Sequence, residues 1–332
     1  MLENTPTRRL VTVPILFVAT ALLWILSPVL LVAGAVVDLV RWSIHRRPFM
    51  ACRLVVFLLA YTSAEVVGLA ALGISWVRCR VARTDACAQR DAFVIQKAWA
   101  EFLFVVVTGL LRLTIRVTGI ESVEAAPFIL LSRHTSIVDT LLPTHFVSRP
   151  HDRHIRFVLK TELLVDPALD VAGNRLPNYF VRRDASHAAE SEDAIERLAR
   201  EMPEGEAVLI FPEGTRYTPE KHRRALHRLA ERSPGLHARA EHLRHVLPPR
   251  PRGTLALLRG SDADVVVLAH RGLEGLVSIA DIWRGAMVGR QVDVAFERIE
   301  RAQVPDTEHG RVDWLFDVWA RIDAWVAGES GS

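Results

Sequence analysis

Cysteine is scarce: Cys52, Cys79 and Cys87 are the three in 332 residues. An odd count with no CxxC spells no disulfide framework and fits a reducing compartment, so three unpaired thiols are expected. No HExxH or paired-cysteine spacing marks a metal site, and no GxSxG elbow marks a serine nucleophile. Net charge is only +3, although the sequence pI is about 9.0 and arginine far outnumbers lysine. No basic stripe with interleaved aromatics is present, so the composition argues against nucleic acid and for anionic lipid surfaces or phosphate substrates.

Charge is missing altogether from Leu10 to Val37. A helix needs about 20 apolar residues to cross a hydrocarbon core of ~30 Å, and this run exceeds that length. It also exceeds the apolar core of a signal peptide, although Ala33-Gly34-Ala35 resembles a cleavage site. A second apolar stretch, Leu54 to Val77, has Glu65 as its one charge and argues against simple secretion. Glu65 is read as facing a partner helix or water. Arginines flank both stretches, so the positive-inside rule does not orient them. Two arrangements stay open: a double span, or a hairpin dipping into one leaflet with breaks at Pro14 and Pro28. Residues 1–90 are thus expected to form a membrane anchor of two apolar segments.

From residue 91 to 332 the pattern is that of an α/β domain. Asp91 to Leu111 reads as an amphipathic or largely apolar helix leading out of the membrane. Short buried runs or alternating segments at Leu113–Gly119, Pro127–Leu131, Arg156–Leu159, Ala207–Phe211, Asp264–Leu268 and Val292–Phe296 read as strands. Polar helical stretches between them predict a mixed, mainly buried sheet flanked by helices. Val312 to Val326 carries Trp314, Trp319 and Trp325 at helical spacing, expected as core of a docking helix. A basic, His-rich insertion at about 217–258 is read as a solvated face, because its arginines oppose a cation site.

Three segments carry chemistry. Ser132-Arg-His-Thr-Ser-Ile-Val-Asp139 follows a buried strand and is expected to open a helix. His134 and Asp139 can meet only if His134 precedes the helix start. His134 then suits general-base work, with Asp139 fixing its tautomer. Backbone N–H groups at that helix start are candidates for an oxyanion site. Without a serine elbow, the pair is expected to activate the substrate's own hydroxyl. In Phe211-Pro-Glu-Gly-Thr-Arg216, Gly214 permits a close backbone approach and Arg216 can grip a phosphate, while Glu213 can bond a substrate hydroxyl or hold Arg216. Tyr179-Phe-Val-Arg-Arg-Asp184 offers Arg182 and Arg183 to a phosphate.

His134-Thr-Ser-Ile-Val-Asp139 resembles the HxxxxD motif of the glycerolipid (lysophospholipid) acyltransferases, and Phe211–Arg216 matches that family's FPEGTR letter for letter. Phe180-Val-Arg-Arg183 is similar to the intervening motif, which puts Arg183 at its phosphate-binding position. Lys160 falls in a Leu-Lys-x-Glu-Leu segment that also looks familiar. Ala263–Leu268 stands where the last motif usually carries a proline, which is absent here. Glu213–His222 followed by His245–Gly253 resembles the branch of 1-acylglycerol-3-phosphate and lysocardiolipin acyltransferases, with Arg250 and Arg252 at its basic positions.

The resemblance implies catalytic His134 and Asp139, and a substrate-binding set of Lys160, Arg183, Glu213, Gly214, Thr215 and Arg216. It implies acyl-CoA or acyl carrier protein as donor, a lysophospholipid acceptor, a bilayer as partner, and no metal or organic cofactor. An Ala- and Arg-rich chain fits a bacterial cytoplasmic membrane, with the catalytic domain on the cytoplasmic side. Two rivals stand beside this reading: a lysophospholipid hydrolase using Ser132 or Ser136, and a non-catalytic membrane lipid-binding protein.

Overall fold

The computed structural model describes residues 5–82, 85–181, 188–276 and 279–328. The uncharged N-terminal run lies inside one helix, α1 (Thr5–His45). Neither proline breaks it, so the breaks that a hairpin would have allowed are not used. A proline removes one intrahelical donor, which at Pro28 leaves the Trp24 carbonyl without its N–H. The Ser27 hydroxyl takes that place, donating to Trp24 O at 2.8 Å. The second run forms α2 (Ala51–Ala82). Asp38 of α1 caps it, its carboxylate accepting from the N–H groups of Met50, Ala51 and Cys52 at 2.8–2.9 Å.

A third helix, α3 (Asp85–Leu111), stands where an exit helix was expected from residue 91. All three helices are long and apolar enough to cross a membrane, where two such segments were expected. One stripe of α3 (Ala100, Leu103, Phe104, Val107 and Leu111) is buried in the core of the following domain. The boundary drawn at residue 90 therefore falls inside a helix that belongs to both parts. Cys79 of α2 and Cys87 of α3 are disulfide-bonded, which corrects the expectation of three unpaired thiols. Their Cα atoms lie 5.6 Å apart, and Cys52 alone stays a thiol.

The helices are tied to the domain at several points. Arg8 and Arg9 both clasp the buried Asp170. Arg41 stacks on Trp283, its guanidinium 4.2 Å from the ring centroid. Glu65 is fully buried and faces partner helices, one of the two expected readings: its Oε2 accepts the Ala168 N–H at 3.2 Å, and Trp99 of α3 lies beside it. Ala168 lies in α5 (Pro167–Gly173), after the one-turn helix α4 (Arg149–His151).

The seven strands are β1 (Thr114–Thr118), β2 (Phe128–Ser132), β3 (Ile155–Lys160), β4 (Tyr179–Val181), β5 (Ala207–Ile210), β6 (Asp264–Arg271) and β7 (Gln291–Ile299). Six of them were legible as buried or alternating runs; β4 is three residues long and was not. They form one sheet in the order β1-β7-β6-β2-β5-β3-β4. Strands β2 to β6 run parallel, β7 is antiparallel to β6, and β1 is parallel to β7. The mixed, buried sheet is as expected.

Alternate residues of the strands feed two cores. Phe128, Leu130, Val266 and Leu268 meet α3 on one face. Ile129, Leu131, Val265 and Val267 meet helices on the other. That second layer consists of α6 (Ala188–Arg200), α9 (Pro251–Gly260) and α11 (Glu308–Ala327), with the basic helices α7 (Pro219–Arg232) and α8 (Pro234–Ala240) at its margin. Helix α11 buries Trp319 completely, with Trp314 and Trp325 packed against the same core, as its spacing implied. The short helix α10 (Ile279–Arg284) carries Trp283.

Candidate active site

The C-terminal ends of the five parallel strands lie on one edge of the sheet, where open α/β folds bind ligands. Central β2 runs into His134, and its neighbours β5 and β6 run into Phe211–Arg216 and His270. The topology thus assembles segments about 140 residues apart in the chain.

His134 sits in the loop after β2, its Nδ1 3.0 Å from Asp139 Oδ1, as the offset of five required. The expected helix start is instead a 3₁₀ turn, Val138–Leu141. The loop is closed by its own polar groups. Asp139 Oδ2 accepts the N–H groups of Thr135 (2.5 Å) and Ser136 (2.7 Å). The Ser136 hydroxyl accepts those of Val138 (3.0 Å) and Asp139 (3.2 Å).

Two consequences follow. The Thr135 and Ser136 N–H groups are committed to Asp139, so they cannot form the oxyanion site expected of a helix start. Ser132 and Ser136 are fully buried and hydrogen-bonded within the loop, which places neither hydroxyl as a nucleophile.

Burial would raise the Asp139 pKa, but hydrogen bonds from His134 and then His270 outweigh it and hold the carboxyl well below the usual carboxylate range. An ionised Asp139 accepts from His134 Nδ1, which fixes the hydrogen there and leaves Nε2 as the basic nitrogen. The imidazole keeps about 13 % of its side-chain surface exposed, and its ring leans on Phe211 with centroids 4.4 Å apart.

Glu213 departs from the expected role of gripping substrate or Arg216. It is buried, Oε1 accepting the His134 N–H at 2.9 Å and Oε2 the Leu247 N–H at 3.0 Å. Burial pushes its pKa up to about 7, against the pull of Arg133 and of those two N–H groups. Glu213 therefore positions His134 and pins the 245–253 segment to the Phe211–Arg216 turn. Arg250 N–H donates to Pro212 O at 2.8 Å in the same seam.

Gly214 has φ +66°, the left-handed region that favours glycine, and a Cβ there would press on the Arg250 side chain at 3.2–3.4 Å. Thr215 accepts from Lys221 Nζ at 3.2 Å. Arg216 is half-buried, and its guanidinium has no ion-pair partner among the described residues. Lys160 ends β3 on the same edge, two strands from β2, and is engaged with neighbouring groups. Arg182 and Arg183 lie outside the described residues, directly after β4 in the sequence. Arg252 lies on the surface, 3.6 Å from Glu192 and away from the turn.

Sequence reasoning missed Arg133. It reads as an exposed charge beside a motif, yet it is fully buried. Its guanidinium donates to His270 O, to Glu274 Oε1 at 2.7 Å and to His245 O at 2.8 Å. It binds the ends of β2 and β6 and the 245–253 segment behind His134. A charge one residue beyond a run of four buried apolar residues, after the buried Ser132, was the available signal.

In the His-rich insertion, His222 is buried while His227 and His242 are exposed, so these histidines converge on no common point. Among the described residues the three metal-type ligands that do converge are Cys79, Cys87 and Asp91, and both thiols are already bonded to each other.

Comparison with known proteins bears on this edge of the sheet. Residues 114–247 match a family model described as Acyltransferase, a segment that contains every candidate site residue named above from the two dyad members to Arg216. A search of curated proteins finds no match. Among solved structures, the chain is similar to the 1-acyl-sn-glycerophosphate (LPA) acyltransferase PlsC from Thermotoga maritima, at 18 % identity and a TM-score of 0.53. The similarity covers 84 % of this chain and 100 % of that one, and it is a likeness of fold, including the α/β sheet preceded by apolar helices. By the domain matched over residues 114–247, the chain is an acyltransferase enzyme.

Proposed function

We propose that the protein transfers a fatty acyl group from a thioester to the free hydroxyl of a lysophospholipid, 1-acyl-sn-glycerol-3-phosphate, giving phosphatidic acid. The observation that carries this is a His134–Asp139 pair with one open nitrogen and no accessible serine beside it. His134 Nε2 takes the hydroxyl proton while that oxygen attacks the thioester carbonyl. The tetrahedral intermediate collapses by breaking its C–S bond, and the imidazolium returns the proton to the departing thiolate. Asp139 stabilises the imidazolium between these steps.

Arg216, half-buried and open on the same turn, supports a phosphate-bearing acceptor, with Arg183 and Lys160 as further phosphate ligands. Glu213 acts indirectly by setting His134, and Gly214 and Thr215 give the turn its shape. The donor is acyl-CoA or acyl carrier protein, and no metal or organic cofactor takes part. The Thermotoga maritima protein of like fold is described as acting on 1-acyl-sn-glycerophosphate, which supports the same acceptor here.

The site is held at a bacterial cytoplasmic membrane, on the cytoplasmic side. Helix α1 touches the domain at Arg8 and again at Arg41, 33 residues or about 50 Å further along. A helix crossing a core of ~30 Å would carry one end away from the domain. Large apolar side chains such as Leu22, Ile25, Val29 and Val36 stay exposed between those two contacts. This favours a layer bedded in one leaflet over a double span. Full-length protein should float with lipid vesicles in a density gradient; protein left at the bottom of the gradient without detergent would refute the anchor.

Purified protein offered labelled acyl-CoA, acyl carrier protein thioester and a panel of lysophospholipids should yield phosphatidic acid as its main product. Free fatty acid as the main product would favour hydrolysis, and an unconsumed donor would favour the lipid-binding reading. Arg216→Ala should raise KM for the lysophospholipid about 10- to 100-fold, since a hydrogen bond to a charged group is worth about 1.5–3 kcal/mol. A rise confined to the donor KM would instead assign Arg216 to the thioester side.

A further inference from the structure

We propose that His270 is a positioning residue for the dyad: its Nε2–H donates to Asp139 from the side opposite His134 and sets how strongly Asp139 holds a proton on His134. This rests on the proposed acyl transfer only for its kinetic readout.

His270 is the seventh residue of β6, on the same sheet face as Val266 and Leu268, and is wholly buried. Its Nε2 lies 3.1 Å from Arg133 O and 3.5 Å from Asp139 Oδ2. A carbonyl oxygen only accepts, so the network assigns the hydrogen to Nε2. That hydrogen is shared between the last carbonyl before His134 and the carboxylate that orients His134. The other nitrogen, Nδ1, is buried and has no partner among the described residues. A bare lone pair is tolerable there, whereas a buried N–H with no acceptor is costly. His270 is therefore the neutral Nε2–H tautomer, a fixed dipole aimed at Asp139.

Asp139 thus sits between two imidazoles. Oδ1 faces His134, and Oδ2 takes two backbone N–H groups with His270 flanking. Each donor on Oδ2 draws charge from Oδ1 and weakens the grip of Asp139 on a protonated His134. The other ionisable groups around this point are Arg133 from the end of β2, Glu213 from the turn after β5, Glu274 from the turn after β6, and Tyr217 beyond Arg216. Burial pushes the Glu213 pKa up to about 7, and Glu213 is common to every variant at position 270. Without the His270 donor, Asp139 carries more uncompensated charge and binds the His134 proton more tightly. The basic form of His134 is then reached only at higher pH.

The test uses full-length protein in detergent micelles with His270→Gln, His270→Asn and His270→Leu. Glutamine can set an N–H near the Nε2 position, whereas asparagine of similar polarity falls short and leucine offers no donor. Each variant is read by NMR titration of the 13C-labelled His134 ring, which needs no turnover, and by the acid limb of kcat against pH. In the Asn and Leu variants, the midpoint of the His134 titration and the acid limb should rise together by ~0.5 unit or more, with kcat on the acid side of the limb reduced about 3-fold or more. The Gln variant should keep both near wild type. If the leucine variant fails to fold, the Gln–Asn pair carries the comparison. A His134 titration that is the same in Gln, Asn and wild-type protein overturns the inference. Absence of acyl transfer in a wild-type protein whose His134 titration responds to residue 270 would instead sink the functional reading alone.

Discussion

Replacing His134 by alanine should lower kcat for acyl transfer by about 10²–10⁴, the range a general base supplies, while KM for both substrates changes little. The small effect on KM follows from the geometry. The loop's shape is set by Asp139, Ser136 and Glu213 acting on backbone N–H groups, and none of these needs the imidazole. Asp139→Asn should be comparably severe for a reason visible in its four contacts. Two N–H groups converge on Oδ2, so the amide oxygen must take that seat. The NH2 group then faces His134 Nδ1, now a donor facing a donor, and the ring responds by moving its hydrogen to Nε2. That tautomer presents no base to the substrate. The double variant should be hardly worse than either single one, because the pair acts as a unit. Steady-state kinetics of the three folded variants decides the matter. A folded His134→Ala enzyme within 10-fold of wild type would defeat the mechanism.

The sequence carried the parts of this site that are local. His134 and Asp139 are five residues apart, and their offset alone demanded a loop before the turn. Gly214 announced a left-handed turn that the structure contains. The buried strands were legible because their apolar runs are continuous, as expected of parallel strands covered on both faces. What escaped is long-range. Glu213 reaches the His134 N–H 79 residues away and the Leu247 N–H 34 residues away, so nothing adjacent to it reveals that both oxygens are committed. Arg133 and His270 are 137 residues apart and look like surface charge in sequence. The third helix was legible as a helix from Asp91, but its length as a possible span was not, because Arg90, Asp91 and Lys97 dilute its first half and its apolar stripe answers to the domain core. The Cys79–Cys87 bond joins the end of α2 to the start of α3, two elements that the sequence presents separately.

Removal of the Asp170 carboxylate should destabilise the protein by about 3–5 kcal/mol, and should loosen the apolar helices before it harms the catalytic edge. Asp170 has no exposed side-chain surface, and Arg8, its main partner, is only 3 % exposed. Oδ1 accepts from Arg8 Nη2 at 2.8 Å and Oδ2 from Arg8 Nε at 3.0 Å, the two-pronged geometry that suits a guanidinium. Arg9 adds bonds of 3.1–3.2 Å from a more exposed position, and Asn174 donates to Oδ1 at 2.8 Å. These donors hold the Asp170 pKa below the usual carboxylate range against the burial that would raise it. Asp170→Ala strands the Arg8 charge in a pocket built for a pair, whereas Arg9 can turn to water. The cost is therefore chiefly that of a buried cation deprived of its two-pronged carboxylate. Arg8→Met combined with Asp170→Leu removes both charges and fills the space, and should recover most of the loss, since a buried pair is often replaceable by apolar side chains without penalty. Thermal unfolding in micelles should show a large drop in midpoint for Asp170→Ala and near recovery in the double variant. Limited proteolysis should cut Asp170→Ala first within α1. Equal midpoints for wild type and Asp170→Ala would mean that the clasp does not hold α1 against the domain, and the leaflet-bedded layer would lose its N-terminal anchor point.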